Sequence, residues 1–242
     1  MDKPEILINT QTAFFFEKIL EKPEGIWESL NNELGGVFDQ TPIILPVPRD
    51  QKLMEVPVVQ MLSSSGVYSC NISRARIDFF IAGEGEQAFN VKEEEMINMS
   101  SKLFNFLKKD PGIKRIGFVS RFFIKEEKQD EILKNILNKK FIDLHTEGEE
   151  SAFVESYVKY VQKIKVLNLD VNNFTTIEKY FANIPSAGEN IKGVLVTRDF
   201  NTIPELNLVS QDGFEVSAFM REGATKFHLR EIKELLWPEP VV

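Results

Sequence analysis

The chain has 242 residues, 43% hydrophobic and 27% charged, and its 37 acidic against 29 basic residues give a net charge of −8. A chain of this composition buries enough apolar surface to offset its ordering entropy, which excludes disorder. Its acidity argues against non-specific binding to a nucleic-acid backbone, which needs clustered Lys and Arg. One cysteine, Cys70, excludes an intrachain disulfide and a thiolate-rich zinc site. The start of the chain lacks a signal-peptide layout, and no apolar run reaches the ~18 residues of a membrane span. The expectation is a cytoplasmic protein with no membrane contact. Twenty phenylalanines, against four Tyr and two Trp, carry no polar handle and belong in a core or an interface.

In chain order, residues 6–16 read as extended, with Phe14, Phe15 and Phe16 in succession. Pro23-Glu24 opens a short helix on Ile26, Trp27, Leu30 and Leu34, stopped by Gly35-Gly36. Residues 41–57 carry four prolines and belong at an edge or the surface, since proline cannot donate to a central ladder. Residues 58–62 form a short strand, and Ser63-Ser64-Ser65-Gly66 a turn. Residues 67–81 read as one long strand whose apolar parity changes near Ser73, which marks a bulge or bend.

The spacing of Met96, Met99, Leu103 and Phe106 predicts an amphipathic helix over 90–109, capped by Asn90 with Glu93 three residues on. Pro111-Gly112 ends it. A strand over 113–125 puts Ile116, Phe118, Phe122 and Ile124 on one face and Arg115 and Arg121 on the other. The strand–helix–strand order allows a parallel pair, or an antiparallel arrangement with strands inserted. A helix is expected over 129–139, a polar loop over 141–150, and strand rather than helix over 151–172. A helix over 175–183, strands over 192–200 and 214–221, and a last amphipathic helix over 225–237 complete the expectation. The fold class is α+β: a mixed, largely antiparallel sheet with amphipathic helices packed on one face. Its organisation is a single domain over 1–242, with two interlocked halves, 1–140 and 141–242, as the alternative.

The search for chemistry starts with histidine. His145 lies in an acidic loop and His228 on the last helix; neither has metal-ligand spacing, and no nucleophile elbow accompanies them. Cys70 lies in a strand pattern and reads as a small buried hydrophobe. Asp170 and Asp199 fall near strand ends, where metal-dependent nucleases hold acids, but no further acid and lysine stand at a fixed short spacing. Asp170, Asn172 and Asn173 begin like a calcium loop that lacks its sixth-position Gly and twelfth-position Glu. Gly83 and Gly85 lack the third glycine of a dinucleotide fingerprint. No cofactor or metal is implied.

Arg74, Arg76, Arg115 and Arg121 are the candidate binding residues. All four fall in predicted strands, and guanidinium planes suit carboxylates and phosphates. The competing role for them is pairing with neighbouring acids such as Asp78.

The strand around Ile113-Lys114-Arg115-Ile116-Gly117-Phe118 and the late strand ending Thr197-Arg198-Asp199-Phe200-Asn201-Thr202 resemble a sporadically distributed family of uncharacterised bacterial proteins. The resemblance spans 67–236 and departs at Ser120-Arg121-Phe122-Phe123. It implies a patchily occurring accessory gene in a setting of defence against phage, and carries over no catalytic residue. The leading reading is a non-enzymatic accessory or regulatory binding protein, with a protein partner or self-association. A metal-dependent phosphodiester or nucleotide hydrolase using Asp170 and Asp199, and a sensor of an anionic ligand, are the alternatives.

Overall fold

The structure is a computed structural model, which describes residues 5–48, 50–83, 92–136, 157–167, 169–183, 190–203, 214–227 and 229–237. Nine strands form one sheet: β1 (Glu5–Phe16), β2 (Ile43–Ile44), β3 (Val59–Leu62), β4 (Tyr68–Ile72), β5 (Arg76–Ala82), β6 (Ile113–Lys125), β7 (Tyr157–Val166), β8 (Leu169–Asn183) and β9 (Asn190–Thr202). Their order is β2-β3-β4-β5-β1-β6-β9-β8-β7, and every neighbouring pair is antiparallel. The α-helices are α1 (Trp27–Glu33), α2 (Glu93–Leu107), α3 (Gln129–Ile136), α4 (Val216–Thr225) and α5 (Arg230–Leu236). The protein is therefore α+β and dominated by its sheet. None of the described helices is long and apolar enough to cross a membrane.

Strand alternation sorts side chains between two faces. On one face Phe79, Thr12, Phe118 and Phe200 stand in a single cross-strand row, and this face meets helices. Phe14 packs its ring 6.3 Å from Phe104 of α2, and the Thr12 and Ser100 hydroxyls are 2.8 Å apart. Phe200 lies 5.0 Å from Phe219 of α4, and Phe118 lies 4.3 Å from Phe227, just past α4. Phe14, Phe79, Phe118, Phe122, Phe200, Phe219 and Phe227 are all fully buried. In α2, residues Met96, Met99, Leu103 and Phe104 are buried along one stripe. Three acids occupy its first turn, where the helix dipole favours negative charge.

Several elements depart from the sequence expectation. The parity change near Ser73 is a hairpin between β4 and β5, with Ile72 opposite Ile77. The Ser73 hydroxyl closes that hairpin, donating to the Arg76 carbonyl and accepting from the Ala75 and Arg76 amides. The expected strand over 151–172 contains two strands: β7 and the start of β8, joined at Leu167, whose φ is +47°. Residues 175–183, expected helical, belong to β8, because Thr175, Thr176 and Ile177 are β-branched and have ladder partners on both sides. Residues 214–221, expected as a strand, enter α4, whose buried Val216, Phe219, Met220 and Gly223 keep a helical spacing. The last helix is shorter than expected, and the Asn90 cap and the loop over 141–150 lie outside the described residues.

α2 joins β5 to β6, yet β1 stands between those two strands and runs antiparallel to each. The order of elements then repeats. β1, α1, the meander β3-β4-β5 and α2 are followed by β6, α3, the meander β7-β8-β9 and α4. In each set the last meander strand pairs with the first strand, and the two first strands pair with each other at the centre of the sheet. Thr12-Ala13-Phe14-Phe15-Phe16 of β1 and Ser120-Arg121-Phe122-Phe123-Ile124 of β6 carry similar residues.

Candidate functional site: the polar face of the sheet

The face opposite the phenylalanine row carries polar side chains. By register, β5 contributes Arg76 and Asp78, β1 Asn9, Gln11 and Phe15, β6 Arg115 and Arg121, and β9 Asp199 and Asn201. Ala13 and Gly117 stand side by side between Asp78 and Asn201 in one row and give the middle of this face a low floor.

Three of the four sequence-predicted arginines share this face. Arg76 is neutralised by acids: its Nε donates to Asp78 at 2.8 Å and its Nη1 to Glu55 at 2.9 Å. Arg115 donates from Nε to the Thr202 carbonyl at 3.2 Å and from Nη2 to Asn201 Oδ1 at 3.0 Å. Its guanidinium lies 4.8 Å from the centre of the Phe15 ring, and Arg76 lies 5.5 Å from the same ring. Arg121 donates from Nη1 to Asn9 Oδ1 at 2.9 Å and from Nη2 to Gln11 Oε1 at 3.2 Å. Arg115 and Arg121 are thus oriented by uncharged acceptors, and among the described residues neither has a carboxylate at ion-pair distance. Burial holds the Arg121 guanidinium below its ordinary value, with Asp199 pulling the other way.

Arg74 is elsewhere. It is buried in the β4–β5 hairpin and donates to the Pro48 and Val47 carbonyls at 2.9 and 3.1 Å. It pins the proline-rich segment, whose prolines lack amides for a ladder.

Burial pushes the Asp199 carboxyl above the usual carboxylate range, against the Asn201 hydrogen bond and the positive charges of Arg115, Arg121 and Lys159. Asp78 is raised by burial too, against Arg76 and Gln11, which both bond to it. Asp170 does not join Asp199. Phe174 is the residue opposite Asp199 in β8, and Asp170 lies four positions further along. At about 3.4 Å per residue the separation is about 14 Å, against the roughly 3.5–4 Å between the ions of a two-metal site. Asp170 instead faces Lys165 at 3.7 Å, and both are exposed. Among the described residues no three His, Cys, Asp or Glu side chains group closely enough to hold a metal ion.

Asn9, Gln11 and Asn201, the acceptors that aim the arginines, carry no local signal in the sequence: Gln11 lies between Thr10 and Thr12, and Asn9 between Ile8 and Thr10. A second polar feature is also new. On the helix-facing side Thr10, Ser120, Arg198 and Thr175 form one buried cross-strand row. The Thr10, Ser120 and Thr175 hydroxyls have no hydrogen-bond partner among the described residues. Cys70 is fully buried, and burial pushes its thiol well above the ordinary range, so it is a poor nucleophile. His145 and His228 lie outside the described residues. Comparison with protein-family models and with curated protein sequences found no match.

Proposed function

We propose that the protein is a non-enzymatic binding protein that holds an acidic group of a partner on the polar face of its sheet. On this reading the described helices α2 and α4, which pack on the phenylalanine row, leave the polar face for recognition. The observation that carries it is the pair Arg115 and Arg121, fixed by neutral acceptors and not matched by a carboxylate in contact. Orienting an arginine with amide oxygens settles its rotamer before a ligand arrives, which lowers the entropic cost of binding. The charge is left to be satisfied by a carboxylate or phosphate, which a guanidinium fork grips with two hydrogen bonds. The resemblance to the patchily occurring bacterial family adds an accessory role, with defence against phage as its setting.

The test compares wild type with the double variant Arg115→Gln/Arg121→Gln. Partners that co-purify from the native host are quantified by mass spectrometry, and both proteins are titrated with inorganic phosphate. Loss of a specific partner with the melting temperature retained supports the reading. Phosphate binding that depends on both arginines, with no partner lost, turns it into a sensor of an anionic ligand. Equal partner recovery and no phosphate binding in either protein overturn it.

A further inference from the structure

The two ends of the described sheet differ. β2 is two residues long and is bracketed by Pro42 and Pro46, the usual way of blunting an edge. β7, at the other end, is ten residues long and contains no proline. It carries three lysines, Lys159, Lys163 and Lys165, and no acid. All three sit at odd positions and project from one face, interleaved with Tyr157 and Val161, which are 67% and 46% exposed. Across the ladder, Lys159 faces Thr176 and Lys163 faces Asn172. Lys159 lies 5.3 Å from the centre of the Phe174 ring. Neither Lys159 nor Lys163 has a carboxylate at ion-pair distance among the described residues, whereas Lys165 is paired with Asp170. A protein of net charge −8 therefore concentrates positive charge on one long edge strand.

We propose that β7 is a docking edge for an extended acidic segment of a partner protein, which adds to the sheet as a tenth strand. The edge supplies backbone groups for a ladder. Strand alternation then sets acidic side chains of the incoming segment beside Lys159 and Lys163, and small apolar ones beside Tyr157 and Val161. A second copy of this chain is disfavoured in the two-fold antiparallel register centred at Val161, which sets each Lys159 against a Lys163, since like charges directly opposite are destabilising. By register these lysines project from the same face as Arg115 and Arg121, and the Lys159 charge acts on Asp199, but β7 lies at the rim of the sheet and neither arginine belongs to it, so separate lysine and arginine variants tell the two sites apart.

The competing role for these lysines is protection of a bare edge against aggregation, and the experiment separates the two. The full chain is titrated with a labelled, end-blocked ten-residue peptide alternating Glu and Val, and with oligoglutamate of equal charge as control. Fluorescence anisotropy gives affinity at low and high salt, and amide hydrogen exchange reports protection along β7. The proposal expects the alternating peptide to bind and to slow exchange in β7. It expects oligoglutamate to bind at least tenfold more weakly, and Lys159→Glu/Lys163→Glu to lose at least tenfold in affinity, with Lys159→Ala/Lys163→Ala as the milder variant. No binding by wild type, equal binding of oligoglutamate, or full affinity in both variants overturns it. So does concentration-dependent dimerisation that protects β7. Binding that is lost in Arg115→Gln/Arg121→Gln but kept in the lysine variants assigns the peptide to the arginine face and also overturns it.

Discussion

Gly223 sits in the last turn of α4 at the point where this helix presses on the sheet. A Cβ added there meets the Phe200 ring at 2.8 and 2.9 Å and the Phe118 ring at 3.3 Å. Two effects of Gly223→Ala oppose each other. Alanine is favoured over glycine within a helix by up to about 1 kcal/mol. Against that, a methyl group forced into a closed core costs about 1–3 kcal/mol. Both rings are fully buried, and each already packs against another ring, Phe200 against Phe219 at 5.0 Å and Phe118 against Phe227 at 4.3 Å, so neither retreats without displacing a buried neighbour. Overpacking wins, and Gly223→Ala should destabilise the protein by about 1–2 kcal/mol. For a chain of this size that is a fall of about 2–8 °C in melting temperature. Urea unfolding with an unchanged m-value measures it. Gly25→Ala is the control, because its nearest neighbour is a Lys22 Cβ at 4.0 Å, and it should leave stability nearly unchanged. A Gly223→Ala protein as stable as wild type would refute the close packing of α4 on the sheet.

Two further outcomes follow from buried groups. Cys70 should resist alkylation by iodoacetamide in the folded protein and react fully in urea, since its thiol is buried and its ionisation disfavoured; rapid labelling of native protein would contradict its place in the core. Asp199 holds its proton more tightly folded than unfolded, so its ionisation costs stability as pH rises from about 4, the ordinary unfolded value, through the raised folded value. Asp199→Asn should therefore be more stable than wild type at pH 7, with the gap closing near pH 4, and a less stable variant at pH 7 would show that its attraction to Arg115 and Arg121 outweighs burial.

Elements with a strong local pattern were legible in the sequence. The stripe of Met96, Met99 and Leu103 marks α2, and the alternation of Ile116, Phe118 and Phe122 marks β6 and also separates Arg115 and Arg121 onto the other face. Where pattern and propensity conflict, tertiary context decided. Residues 175–183 became strand because ladders form on both sides, and 214–221 became helix because Phe219 and Met220 pack on a sheet formed by distant segments. Arg74 and Arg76 are two residues apart and share a parity in the sequence, yet the hairpin at Ser73 turns one inward to Val47 and Pro48 and leaves the other on the polar face. The holders of Arg121 could not be read locally, since Asn9 and Gln11 reach it only once β1 lies beside β6.

The central position of β1 sets the timetable of synthesis. It is the earliest of the nine strands to be made, yet Gln11 meets Asp78 across 67 positions of chain, and Asn9 meets Arg121 across 112. At about 5–20 residues per second, the second neighbour of β1 emerges roughly 6–22 s after β1 itself. Over that interval a strand bearing Phe14, Phe15 and Phe16 has at best one side paired, and its other row of amides and carbonyls is open to any neighbouring nascent chain. A ribosome that pauses between β5 and β6 prolongs this exposure, so codon usage across residues 83–112 bears on how much of the chain reaches the folded state.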